Sequence, residues 1–360
     1  MRQQDIEYLK KEGLPVYIWG GGDVAGRQKT ALERNGIPCA GFVIDDVKPN
    51  AAETVSKEEL ILSGKKYALI RGFLGAFYPS EEELLQQWPN CQRVLMISDM
   101  YEPDTVGPMS QSFYNQHQAD FMRVRSDLAD QLSRDSFDAF LSAKLTLTSE
   151  RIAPFVVKKQ YFFPDAPWTY DEKDVLLDCG AFNGDSIMDF VALRGAAYKK
   201  IIACEPDEQN YKDLLENMKA NGIHDVEAHL CGLYREKTTL RFTSSGDMES
   251  YFDENGDIEL PVDSIDNLSG GQDTSIIKMD IEGSEMDALR GAVNTIKRCR
   301  PILMISAYHK KEDLYTIYDF IKQTVNGYKF FFRCHKPIAL DAVMYAVPEE
   351  RCVGGVSFTC

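Results

Sequence analysis

The chain is 360 residues long and 44% hydrophobic, longer than a single core usually grows, which implies two domains. With 56 acidic residues against 40 Lys and Arg it carries a formal charge of −16, and lysine pairs such as 199–200 and 310–311 make no basic patch, so nucleic acid is excluded as an expected partner. Nine cysteines form no CxxC pair and no apolar run approaches the ~18 residues of a membrane helix, so a reduced, cytoplasmic protein with no apolar leader and no membrane span is expected.

Residues 14–98 alternate apolar runs (LPVYIWG, PCAGFVID, KYALIRG, RVLMISD) with helical stretches (DVAGRQKTALERNG, SKEELILSG, EEELLQQW). This predicts a small Rossmann-like parallel sheet with crossover helices over residues 1–109. Its first turn, YIWGGGDVAG, places Gly20, Gly22 and Gly26 where a strand passes into a helix, and Asp45 closes the next strand about 20 residues on. The combination suits a nucleotide, either NAD in an oxidoreductase or epimerase, or a nucleotide-sugar. The spacing is GxGxxxG rather than GxGxxG, and an accessory domain that binds no nucleotide fits equally.

From 110 to 172 strand signals give way to helical spacing of Phe121, Val124, Leu128, Leu132, Phe137, Phe140 and Leu141, which predicts a helical connector. It closes with QYFFPDAPWTY, whose aromatics either dock the connector on the following domain or cover a ligand as a lid.

Residues 173–360 resume the alternation with DVLLD, KIIACE, VEAHLC, SIIKMD and PILMIS, then YKFFFRC and DAVMYAV joined too tightly for a crossover helix. Five parallel strands closed by an antiparallel pair is the seven-strand plan of class I methyltransferases. In such a sheet the ligand lies beyond the carboxyl ends of the strands, where strand order reverses. There DCGAFNGDS lets backbone approach a ligand at Gly180 and Gly184, and Asp178 and Asp185 suit the ammonium of S-adenosylmethionine better than a pyrophosphate. Glu205, in IIACEPD at the next strand tip, either accepts both ribose hydroxyls or serves only as an acid at a helix N-terminus.

SIIKMDIEGSEMDALRGA carries Asp280, Glu282 and Glu285 at one strand-to-helix turn. Helix capping accounts for Glu282 and Glu285 but less for Asp280, which ends an apolar strand and would face the cleft. His309, in ISAYHKKED after the next strand, is a candidate general base, though a loop histidine that merely starts a helix fits as well; Asp280 is the alternative base or an orienter of the acceptor. A metal-assisted variant could draw ligands from the DIEG acids and His309, but their spacing matches no closed metal motif, so no metal is expected.

DCGAFNGDS, ACEPD, KMDIEGSEMDALRGA and ISAYHKKEDLYTI, in this order, resemble the motifs of the FkbM-type methyltransferase family over roughly residues 155–350. The resemblance implies a class I methyltransferase fold, S-adenosylmethionine as cofactor, and O-methylation of a sugar or glycosylated small-molecule acceptor. It further implies that Asp178, Gly180, Ala181, Asn183, Gly184 and Asp185 surround the methionine part of the cofactor, with Glu205 on its ribose, Gly232 near its adenine and Asp280 near the methyl group. A non-catalytic binding protein is the remaining alternative, disfavoured by the intact motifs. Nothing in the sequence names the acceptor or the oligomeric state.

Overall fold

The computed structural model describes residues 3–44, 54–72, 81–95, 109–146, 151–243, 251–252, 258–336 and 339–353. They gather into two compact units, 1–111 with 141–151, and 112–140 with 152–360. The division falls inside the expected 110–172 connector, most of which groups with the C-terminal unit.

The first unit contains α1 (Gln3–Glu12), β1 (Val16–Trp19), α2 (Asp23–Arg34), β2 (Cys39–Ile44), β3 (Thr54–Ser56), α3 (Lys57–Leu62), β4 (Tyr67–Arg71), α4 (Glu81–Gln87) and β5 (Cys91–Leu95). All pairings are parallel, in the order β3-β2-β1-β4-β5. Strand β4 reads as a continuous apolar run because both its faces are covered. Ala68 and Ile70 pack with Ile6, Val16 and Leu32, while Tyr67 and Leu69 pack with Leu60, Leu84 and Trp88. The three-residue β3 escaped the sequence reading, being too short to display a period.

Helices α5 (Gln111–Asp127) and α6 (Gln131–Thr146) follow, and then β6 (Val175–Cys179), α7 (Asp185–Arg194), β7 (Lys200–Glu205), α8 (Glu208–Ala220) and β8 (Val226–Leu230). Next come β9 (Gly232–Leu233), β10 (Thr238–Thr243), β11 (Tyr251–Phe252), β12 (Ile258–Asp263) and α9 (Ile265–Ser269). The chain continues through β13 (Ile276–Met279), α10 (Glu285–Arg290), α11 (Val293–Cys299), β14 (Ile302–Ser306), α12 (Asp313–Thr324), β15 (Tyr328–Cys334) and β16 (Ala342–Pro348).

Seven of these strands form one sheet in the order β15-β16-β14-β13-β6-β7-β8, with β16 antiparallel to both its neighbours, as the sequence predicts. Strand order reverses between β6 and β13, which pair in parallel with Lys278 opposite Asp178. A second sheet, β11-β10-β12-β9, was not foreseen, since two of its strands are two residues long. Tyr161, Phe162, Phe163 and Trp168 are each under 5% exposed and pack with Leu176, Phe190, Met304 and Tyr345. The aromatic segment before β6 is therefore core and not a lid.

Candidate active site

Strand β6 ends in a turn that only glycine can make. Gly180 has φ +76, and a Cβ there would stand 1.9 Å from the carbonyl oxygen of Asp280, so the turns after β6 and β13 are pressed backbone to backbone. Gly184, at φ +86, N-caps α7, and a Cβ there would meet Met218 and Leu214 of α8 within 2.8 Å. The N–H groups of Gly180 and Ala181 both donate to the carbonyl of Cys204 at 3.0 Å. Asn183 accepts from Asn217 Nδ2 on its carbonyl (2.9 Å) and from the Asp185 N–H on its side chain (3.2 Å), while Asp185 is exposed.

Asp178 is buried near the end of β6. It is 0% exposed, pairs with Lys278 Nζ at 2.9 Å, and accepts from Ser186 Oγ. Lys278 also donates to the Gly180 carbonyl at 2.6 Å, so the pair braces the glycine turn from beneath. Burial opposes the lysine charge, but Asp178 outweighs it and holds the amine above its ordinary pKa.

Glu205, 5% exposed, accepts from the N–H groups of Phe182 (2.8 Å) and Asp207 (3.0 Å), tying the turn after β6 to the one after β7. Burial raises its carboxyl, and these backbone donors partly offset the rise. A carboxylate has about four lone-pair sites, and beyond these two backbone donors and the Asn210 side chain it keeps acceptor capacity for a ribose hydroxyl. Gly232 is buried in β9 and pairs with Val262. Beside it, Leu230 and Cys231 line a cavity of about 360 Å³ with Val262, Asp263 and Leu268. Glycine turns, a fixed carboxylate at a strand tip and a neighbouring cavity fit a nucleoside-bearing cofactor.

At the next strand end, Asp280 is 22% exposed. Its Oδ2 accepts from Tyr161 Oη at 2.8 Å and its Oδ1 from Tyr308 Oη at 3.3 Å. His309 lies behind it, 3% exposed, with Nε2 3.5 Å from Asp280 and 3.2 Å from Glu282, and Nδ1 3.0 Å from Glu285. Burial opposes a charge on this ring, but Glu285, Glu282 and Asp280 together raise its pKa well above the ordinary value. Glu285 is itself fully buried and accepts from the Ile281 N–H at 2.9 Å.

The structure thus brings Gly180, Glu205, Asp280 and His309 to one end of the sheet. Tyr308, Ser306, Ser186 and Lys278 were not foreseen there, and Tyr161 was foreseen only as one aromatic of the segment before β6. Lys278 left one signal, a lone charge inside the apolar strand SIIKMD, which requires a buried partner. In the first unit, Gly20 has φ +122 and donates its N–H to Val43, while a Cβ at Gly22 or Gly26 would meet nothing within 4 Å. Asp45 lies outside the described residues. Among the described residues eight cysteines are free, and no helix is long and apolar enough to cross a membrane.

Comparison with known proteins fits this geometry. Residues 178–330 match the model of the methyltransferase FkbM domain. The crystal structure of methyltransferase FkbM from Methylobacillus flagellatus KT superposes with a TM-score of 0.70 at 19% identity, covering 96% of this chain and 94% of that one, and so shares the fold. Methyltransferase 1 of Beauveria bassiana (strain ARSEF 2860) is 26% identical over 119 residues, which cover 25% of this chain and 48% of that protein. The chain spans about half the length of this curated relative. Its C-terminal unit carries, over residues 178–330, a methyltransferase domain of the FkbM family.

Proposed function

We propose that the C-terminal unit transfers a methyl group from S-adenosylmethionine to a hydroxyl of a sugar or glycosylated small molecule. The observation that carries this reading is the meeting of Gly180, Glu205 and Asp280 at the carboxyl ends of β6, β7 and β13, where strand order reverses. When bound, the cofactor supplies the electrophilic methyl of its sulfonium. Glu205 accepts from the ribose hydroxyls, and the turn from Gly180 to Asp185 encloses the methionine part. Asp280, the better exposed of the two base candidates, orients the acceptor and takes its proton as oxygen forms a bond to the methyl carbon and the carbon–sulfur bond breaks. Backbone strain gathers at the same place, with Tyr161 (φ +60), Phe182 (φ +48) and Glu282 (φ +52) all left-handed.

Titration calorimetry with S-adenosylmethionine tests the cofactor. Wild type should bind and Glu205→Ala should bind at least ~10-fold more weakly, the worth of about 1.4 kcal/mol of hydrogen bonding. No binding by the wild type, or undiminished binding by the variant, would sink the assignment. A screen of hydroxylated acceptors with methyl-labelled cofactor then identifies the substrate, and no transfer to any acceptor would favour a non-catalytic binding protein.

A second reading concerns residues 1–109. Gly22 and Gly26 are not demanded by packing, which favours close approach of a nucleotide or nucleotide-sugar at the start of α2. Thermal shift of the full chain with nucleotide-sugars and with NAD separates these ligands, and no shift with either leaves an accessory domain.

A further inference from the structure

We propose that Asp280, Glu285 and His309 bind a small divalent cation of the Mn2+ or Mg2+ class. Donor atoms of the three lie within 4.8 Å of one another. Glu282 adds an oxygen 3.2 Å from Nε2 of the same ring. Three carboxylates therefore converge on a single imidazole, and the negative charge that favours a proton on this ring equally favours a cation in its place, bound by one ring nitrogen once that proton leaves.

A second observation comes from hydrogen bonding. Glu285 Oε2 and both nitrogens of His309 are buried without a hydrogen bond, although those nitrogens lie 3.0–3.5 Å from carboxylate oxygens. The charges are close, yet no ring N–H is aimed at an oxygen. Buried polar atoms left in this state are costly, and a cation offers them a partner. Two ligands at right angles on one ion, each bound at ~2.1 Å, stand about 3 Å apart, the separation found between His309 and Glu285. A donor set rich in oxygen with one nitrogen favours hard or borderline ions over soft ones.

Asp280, 22% exposed, leaves the cleft side of the cluster open, so an acceptor oxygen could complete the coordination. Binding of the ion stands on the donor geometry alone; the role given to it, holding the acceptor hydroxyl beside Asp280, rests on the methyltransferase reading. The same acids and His309 match no closed metal motif in sequence because His309 arrives from a different strand than the acids.

The test is a titration of the metal-stripped full chain with Mn2+, following free Mn2+ by electron paramagnetic resonance. Wild type should bind one ion per chain, and both Asp280→Asn and Glu282→Gln should bind at least ~10-fold more weakly. Metal-free melting of the variants should stay with the wild type; if Asp280→Asn does not fold, Glu282→Gln decides. No Mn2+ bound by the wild type, or equal binding by a folded variant, overturns the site. Calorimetry with S-adenosylmethionine keeps the two claims apart, since a chain that binds Mn2+ but not the cofactor retains the site and loses the methyltransferase reading.

Discussion

Tyr161 donates to Asp280 Oδ2 at 2.8 Å and shares a second 2.8 Å hydrogen bond with Ser306, joining the segment before β6 to the ends of β13 and β14. Burial pushes the phenol's pKa well up, so it remains a donor. It fixes the carboxylate expected to face the acceptor, and leaves Ser306 satisfied inside the core.

Tyr161→Phe should therefore lower stability by about 1–3 kcal/mol, the range for stranding buried partners, and lower kcat more than it raises KM for the cofactor. Denaturant melts and methyl-transfer kinetics measure the two effects. An unchanged kcat would remove Tyr161 from the positioning of Asp280.

Gly180→Ala should cost more, because the added methyl meets a carbonyl 1.9 Å away and not a flexible side chain. The positive φ alone costs roughly 1–2 kcal/mol for an L residue. Cofactor affinity should fall with stability, as the turns after β6 and β13 are forced apart, and calorimetry together with thermal melts reads both.

Lys278→Met should destabilise by about 3–5 kcal/mol, since it strands Asp178 as an unpaired carboxylate in the core. The double variant Asp178→Leu/Lys278→Met should lose less than Lys278→Met alone. Denaturant unfolding of the single and double variants closes the cycle, and a double variant as unstable as the single would show that the pair contributes by packing and not by charge.

His335 supplies a pH dependence away from the site. Its Nδ1–H donates to the Val157 carbonyl at 2.9 Å, which leaves Nε2 to accept from Tyr345 Oη at 2.8 Å, so the folded chain holds a neutral ring. Burial, aided by Arg333 and opposed by the Val157 bond, lowers its pKa from 6.5 to about 4. The folded value lies below the unfolded one. Its contribution is therefore complete above pH 6.5 and lost as pH falls toward 4, about 3 kcal/mol in all. His335→Gln should flatten that part of the stability profile, and equal slopes for variant and wild type would refute the assignment.

Much of the fold was legible in the sequence, because strand–helix alternation and turn chemistry are short-range. LLDCGAFNG predicted β6, its glycine turn and α7; YKFFFRC and DAVMYAV predicted the antiparallel closing pair. Asp280 and His309 were named from their places at strand ends. The two-residue strands β9 and β11 were not legible, having no period to read.

What the sequence determined by itself, then, is the inventory: two α/β units, the glycine turns, and the carboxylates delivered to the strand tips. Tertiary structure decided what those groups do to one another. Asp178 gained a buried partner because β13 set Lys278 opposite it, His309 became enclosed because β13 and β14 end side by side, and Tyr161 reached Asp280 across 119 residues. Each of these contacts depends on which strands are neighbours, and strand order is fixed by long-range pairing and burial that local periodicity does not encode.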